Sequence, residues 1–318
     1  MRKALLLYNP LSGRRVWRRL ADVEAAAEVL HRGGLEASIT PTRAAGDATD
    51  QVRQAIAEGC DTVFACGGDG TVHDVLQGLV GTDASLGIIP LGTANSLAHD
   101  LGFPSAPTRA ARAAVTAKPR RVAVGRLEYQ DFAGKPQSRY FTLAVGIGVD
   151  AHLFYNLNPI AKRHLGMMAY YGKATRLWFT HRMQNFEVEI TDGAPPRRTE
   201  VSQILAVRIQ DFGGILRELA PGASLERDDL RLVLFHTRSR AAYLGYVIRG
   251  LLGTRWKVPG IELIHSSGVK CRGSNSSAQI SRIFVEADGE LLGTLPAQIS
   301  VVPDAVNLLV PSENKARS

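Results

Sequence analysis

The hexapeptide Cys66-Gly67-Gly68-Asp69-Gly70-Thr71 constrains what this chain can fold into more than any other stretch. The run before it, Thr62-Val63-Phe64-Ala65, is short and apolar, as in a strand buried on both faces. After it, Val72, Val75, Leu76 and Leu79 fall at i, i+3, i+4 and i+7, the spacing of one helix face. Three glycines sit at the crossing. Glycine admits positive φ and lets a bulky anion approach the backbone N–H groups. The helix N-terminus beyond them supplies unpaired donors and partial positive charge. Strand, glycine turn and helix together make a phosphate cradle. A hairpin turn is the competing reading of Asp-Gly between apolar runs, and the helical period after Thr71 counts against it. Asp69 is unhelpful beside bare phosphate but useful where it holds Mg²⁺ bridging phosphates.

The flanking chain repeats the same grammar. Ala4–Tyr8 reads as a strand, followed by Asn9-Pro10-Leu11-Ser12-Gly13 and a helix from about Val16 to Arg32, with Val16, Leu20, Val23, Ala27 and Leu30 on one side. Leu35–Thr40 is a second strand, and Ala48, Val52 and Ile56 mark a second helix. Leu86–Ile89 is a fourth strand, leading through Pro90-Leu91-Gly92-Thr93 to a short helix over Asn95–Leu101. Alternating strands and helices indicate an α/β, doubly wound parallel sheet, with ligands at the carboxyl ends of its strands. Three polar turns, Asn9–Gly13, Gly67–Thr71 and Leu91–Asn95, occupy that edge.

Near Pro119 the pattern changes. Val122–Tyr129, Arg139–Val145, Phe186–Thr191, Ile204–Ile209, Leu230–Phe235, Ile261–Ile264, Ile283–Ala287, Ile299–Val302 and Val306–Val310 are short strand candidates. Two helical stretches interrupt them, about Pro159–His181 and Arg240–Leu252. This half reads as a mainly antiparallel β domain. At 318 residues two domains are expected. The net charge of +8 favours anionic partners: nucleotides, nucleic acid or an anionic membrane surface. Cys60, Cys66 and Cys271 form neither a metal spacing nor an even framework, which suits a reduced cytosolic setting. The apolar run after Met1-Arg2-Lys3 ends at Tyr8-Asn9-Pro10, too soon for export, and no stretch reaches membrane-spanning length.

Asn9-Pro-Leu-Ser-Gly13, Gly67-Gly-Asp-Gly-Thr71 and Pro90-Leu-Gly-Thr-Ala-Asn95 occur in the order and spacing of the diacylglycerol kinase catalytic family, which the chain resembles over nearly its whole length. That family includes bacterial diacylglycerol kinases and sphingosine and ceramide kinases. Asp288-Gly289-Glu290 is similar to its final motif, although alone it also reads as a hairpin turn. The resemblance implies phosphorylation of a diacylglycerol-like or sphingoid lipid hydroxyl using ATP and Mg²⁺, in the cleft between two domains. An ATP-binding α/β domain would span residues 1–121, with about 303–318 packing back on it, and a β-rich lipid domain residues 122–302. ATP contacts would come from Asn9, Pro10, Ser12, Gly13, Thr42, Gly67, Gly68, Asp69, Gly70, Thr71 and Thr93. Asp69 would hold the metal and Glu290 would be the general base. Simple capping is the plainer reading for Ser12 and Thr93, and a turn role for Thr42; Asn95 is expected to support the fold. Lipid at a membrane surface and anionic headgroups are the expected partners, without nucleic acid, in a cytoplasmic, peripherally membrane-associated protein. An NAD kinase-like enzyme and a non-catalytic nucleotide- and membrane-binding protein are the rival readings.

Met167, Met168, Tyr170, Tyr171, Trp178 and Phe179 are interleaved with Lys162, Arg163, Lys173, Arg176 and Arg182, a pattern read as core with a headgroup-facing flank. Arg14, Arg15, Arg18 and Arg19 read as a solvated helix face. Three departures from the family stand out. Ala123 occupies the position of a usual aspartate, Glu226-Arg227-Asp228-Asp229 replaces an Asp-Gly that serves a structural Mg²⁺ in some relatives, and His73 stands where asparagine is common. His73 is expected to cap the helix or face solvent.

Overall fold

A computed structural model describes residues 2–10, 16–43, 46–149, 183–191, 195–213, 219–254, 256–273 and 282–312. Four strands, β1 (Lys3–Tyr8), β2 (Glu36–Pro41), β3 (Thr62–Gly67) and β4 (Ser85–Pro90), form a parallel array in the order β2-β1-β3-β4. β3 and β4 are buried along their whole length, as their unbroken apolar runs require. Around this array stand α1 (Arg19–Arg32), α2 (Ala48–Ala57), α3 (Asp69–Leu79), α4 (Ser96–Asp100) and α5 (Pro107–Val115). The register aligns Tyr8 with Pro41 and Cys66, and Gly67 with Pro90. The strands therefore end level, and the turns that follow share one edge.

The remaining strands are β5 (Lys118–Gln130), β6 (Pro136–Phe141), β7 (Ala144–Gly148), β8 (Phe186–Thr191), β9 (Arg197–Val201), β10 (Gln203–Val207), β11 (Leu230–Phe235), β12 (Ile261–Ser266), β13 (Gly268–Gly273), β14 (Phe284–Ala287) and β15 (Glu290–Val310). They pair antiparallel, while the far end of β15 lies parallel to β4, with Asn307 opposite Ser85. One sheet thus runs from β12 through β11, β10, β7, β14 and β15 into the parallel array. A helix, α6 (Arg240–Leu252), covers the face of β10 and β11 through Tyr243 and Tyr246. One apolar core gathers the parallel strands and their helices; a second fills the β-rich region around Phe141, Phe186, Ile204 and Ile299.

The structure departs from the pattern of the sequence in several places. Arg139–Val145 is not one strand: it breaks at Thr142 and Leu143, whose amides turn onto Asp288. Ile299–Val302 and Val306–Val310 are parts of one long strand whose register with β5 shifts between Val302 and Val306. Two elements stand outside the strong apolar patterns: α5, whose buried face is made only of alanines, Ala110, Ala111 and Ala114, and the polar β9. Arg19 points inward and is buried, while Leu20 is exposed, so the charge run is not a uniform solvated face. His73 is buried rather than capping or facing solvent. Residues 11–15 and 150–182, which include Ser12, Gly13, Arg14, Arg15 and the basic aromatic stretch, lie outside the described residues.

Candidate active site

Two glycine loops meet backbone to backbone at the shared edge. A Cβ placed on Gly68 would lie 3.2 Å from the Gly92 Cα, and one on Gly92 would lie only 2.4 Å from the Gly68 Cα. The second distance leaves no room for a side chain. The Leu91 N–H donates to the Gly67 carbonyl at 2.9 Å, locking the loops together. Asn95 holds the second loop from within: its Oδ1 accepts from the Gly92 N–H at 2.8 Å and its Nδ2 donates to the Gly92 carbonyl at 3.2 Å. Asn95 itself takes a left-handed conformation (φ 52°), which asparagine tolerates better than most residues. Asn95 therefore shapes the loop and does not cap α4. Thr93 is exposed on the same loop, and Thr71 folds its side chain over Gly67. Asn9 and Pro10 leave β1 half-buried, and Thr42 follows β2 with its N–H on the Tyr8 carbonyl at 2.8 Å.

Asp69 opens α3. Burial pushes its carboxyl above the ordinary range, the Leu97 N–H opposes this from 3.4 Å, and the nearby Asp288 charge adds to it. A carboxylate at this place is a candidate ligand for a cation. Among the described residues no three His, Cys, Asp or Glu side chains gather as a metal site. One carboxylate beside a phosphate cradle nevertheless fits Mg²⁺, which commonly takes one or two protein carboxylates and completes its shell with phosphate and water.

Glu290 reaches the same place from the other core. Its Oε1 would lie 2.9 Å from a Cβ placed on Gly70, so a side chain there would have to displace the Glu290 carboxylate. Its side chain stays open to solvent on one side, while crowding by the protein raises its pKa, with His73 opposing and Asp74 reinforcing the shift. The turn that delivers it is unusually fixed. Asp288 and Gly289 both have positive φ (49° and 84°), as in the tight turns that join antiparallel strands. The buried Asp288 carboxylate accepts from the amides of Thr142, Leu143 and Ala144 at 2.9–3.1 Å, and His73 Nδ1 lies 3.4 Å from it. Asp-Gly-Glu is thus a hairpin turn that brings Glu290 beside Gly70.

Two further residues join the halves, and neither belongs to a sequence motif. Gln77 on α3 donates to the Tyr140 carbonyl and accepts from the Tyr140 N–H, each at 2.9 Å, stapling α3 to β6. A lone amide on the apolar face of a helix was its only signal. Asp100, at the end of α4, accepts the amides of Gln210 and Asp211 at 3.0 and 2.9 Å. Two of the departures meet at one group. The fully buried Arg208 guanidinium donates to the carbonyls of Ala123 (2.8 Å), Arg227 (2.6 Å) and Asp229 (2.5 Å). A cation carried by the chain itself therefore ties the strand of Ala123 to the segment around Asp228.

Comparison with known proteins gives this arrangement its context. Residues 3–127 match the diacylglycerol kinase catalytic domain, and residues 143–310 match the YegS C-terminal NAD kinase beta sandwich-like domain. The chain is 31% identical to a diacylglycerol kinase of Mycobacterium tuberculosis, covering 97% of this chain and 95% of that one. It is 28% identical to a diacylglycerol kinase of Bacillus subtilis, covering 98% of each. A diacylglycerol kinase crystal structure from Bacillus anthracis superposes with a TM-score of 0.69 at 21% identity, covering 98% of this chain and 97% of that one. Yeast NADH kinase complexed with NADH shares the fold at a TM-score of 0.53 and 12% identity, covering 99% of this chain and 84% of the other. With these likenesses over almost its full length, the chain belongs to the diacylglycerol kinase family of phosphotransferases that use an alcohol group as acceptor.

Proposed function

We propose that this protein is an ATP-dependent lipid kinase acting on the hydroxyl of a diacylglycerol-like or sphingoid lipid. The observation that carries the reading is the approach of Glu290 to Gly70, which sets a carboxylate with a raised pKa against a glycine phosphate cradle. ATP with a divalent cation would supply the phosphoryl group and neutralise charge on it. Asp69 would hold that cation, taken here to be Mg²⁺. The backbone of Gly67, Gly68, Gly70 and Thr71, with Asn9, Pro10, Thr42 and Thr93 around it, would hold the nucleotide; Ser12 and Gly13 belong to the same proposal from sequence. A hydroxyl is a poor nucleophile at neutral pH, so Glu290 would take its proton. Residues 1–121 with 303–318 would form the nucleotide-binding part and 122–302 the lipid-binding part. The protein would work in the cytoplasm at a membrane surface.

The fold shared with yeast NADH kinase motivates a second reading, transfer to a dinucleotide. Labelled ATP offered together with diacylglycerol-containing vesicles and NAD separates the two. Label in the lipid is expected. Label in the dinucleotide, or binding without transfer, would overturn the proposal.

A further inference from the structure

The helix α6 presents its side chains the wrong way round for a surface in water. Tyr243, Tyr246 and Arg249 face inward and are buried, while Leu244, Val247, Ile248, Leu251 and Leu252 face outward, between 39% and 64% exposed. Their spacing of i, i+3, i+4, i+7 and i+8 makes one continuous aliphatic strip, and the exposed Trp256 follows just past the helix end. An aliphatic strip of that length on a surface marks a docking face rather than scatter. The helix contains no acidic residue.

Beside the strip opens a cavity of about 620 Å³ bordered by Pro221, Arg231, Tyr246, Arg249, Trp256 and Lys257. Its chemistry is cationic. Arg249 stacks over the Tyr246 ring at 4.2 Å, and its Nε and Nη2 are buried without a hydrogen-bond partner. Nε of Arg231 is likewise buried without one. The Tyr246 hydroxyl donates to the Leu219 carbonyl at 2.6 Å and also interacts with the Arg249 side chain, which still leaves Nε and Nη2 of Arg249 without a partner. Glu262 also borders the cavity, but its carboxylate is held by both arms of Arg197, at 2.8 and 2.9 Å, and by His236 at 3.0 Å. Buried guanidinium donors are ordinarily satisfied, and a phosphodiester is a natural partner for clustered arginines.

We propose that α6 and Trp256 dock on an anionic phospholipid bilayer, the aliphatic strip lying in the interface while a lipid headgroup phosphate enters the pocket of Arg231, Arg249 and Lys257. The pairing of strip and pocket selects this occupant. Aliphatic side chains with tryptophan at their edge suit the boundary between headgroups and acyl chains. Cations beside them suit the negative surface potential of an anionic leaflet, as does the net charge of +8. At thirteen residues the helix is too short to span a bilayer and long enough to lie flat on one. This surface differs from the Gly70–Glu290 site and extends the lipid-kinase reading by naming how the protein would reach its substrate.

Vesicle sedimentation without nucleotide tests the proposal separately from that reading, because no phosphoryl transfer is measured. The full chain should sediment with phosphatidylcholine vesicles containing phosphatidylglycerol and far less with phosphatidylcholine alone. Leu244→Gln and Leu251→Gln should each weaken binding about tenfold, the scale of losing one buried leucine. The exposed Lys257→Gln should weaken it about fivefold, on anionic vesicles only; it stands in for Arg249→Gln should that variant fail to fold. Melting temperatures should stay near wild type in the leucine and lysine variants. Equal capture by neutral and anionic vesicles would overturn the headgroup pocket, and unchanged binding in all variants would overturn the surface. Leucine variants that melt early while binding vesicles normally would show the strip to be covered by the chain itself. A dimer in the absence of vesicles that Leu251→Gln dissociates would assign it to a second copy. Either result would overturn the proposal.

Discussion

Asp69 answers to two demands at the residue scale. Folding favours its neutral form, because burial raises its pKa, whereas the proposed hold on a cation requires the charged form. A carboxyl whose pKa is raised on folding contributes full stability below its unfolded value, and this is lost as pH rises through the folded value. Asp69→Asn should therefore melt at or above the wild-type temperature at neutral pH while transfer is abolished across a Mg²⁺ titration. Near-normal turnover, or a clear fall in melting temperature, would remove Asp69 from this account. Arg208 presents the reverse case. Its guanidinium satisfies three backbone carbonyls in the interior, and removing one member of such a buried set costs roughly 3 kcal/mol or more. Arg208→Leu should lower the denaturant midpoint accordingly, with no recovery on adding Mg²⁺. Recovery by Mg²⁺ would show that the place still takes a metal. Ala123 is itself buried and its neighbours Val122 and Val124 are core residues, so Ala123→Asp should destabilise the fold rather than raise activity, which paired melting and turnover measurements would decide.

At the scale of elements, α3 connects the two cores. Its first turn carries Asp69 and Gly70, its middle buries His73 against Asp288, and Gln77 fastens it to β6. Gln77→Leu would leave the Tyr140 N–H and carbonyl without their partner, costing roughly 1–3 kcal/mol for each group that water cannot reach. Urea unfolding should show the lower midpoint with an unchanged slope, and turnover should fall as Asp69 loses its setting against Glu290. Normal turnover with lower stability would mean that other contacts set that alignment. The sequence made α3 and the buried strands β1, β3 and β4 legible through their apolar patterns, and α6 through its length and apolar content. Long-range pairing was illegible: nothing local reveals that the Asp288 carboxylate would collect three amides 144–146 residues away, or that β15 would run unbroken to join β4. His73 eluded the sequence for a related reason: polar residues are assigned to the surface by default, and the Asp288 carboxylate it is buried against lies 215 residues away.

On the scale of the whole molecule, one sheet carries both halves, and β15 makes the link. It begins at Glu290 beside the glycine turn and ends against β4 in the parallel array. The strand that delivers the candidate base is thus the strand that fixes one core to the other. The two glycine loops after β3 and β4 foretold their own convergence, because parallel strands ending in register bring their turns to one edge; the approach of Glu290 to Gly70 came only from the sheet as a whole. The central claim is that Glu290 takes the proton of a lipid hydroxyl at this junction, and a pH–rate profile tests it most directly. Phosphoryl transfer from ATP to diacylglycerol in mixed micelles should be measured across pH for the wild type and Glu290→Gln. The raised pKa of Glu290 predicts that wild-type turnover falls as pH drops through a value above the ordinary carboxylate range. Glu290→Gln should lose about 10²–10⁴-fold in turnover together with that acid limb, while ATP binding is retained. Full activity in Glu290→Gln, or an acid limb unchanged by the substitution, would contradict the account.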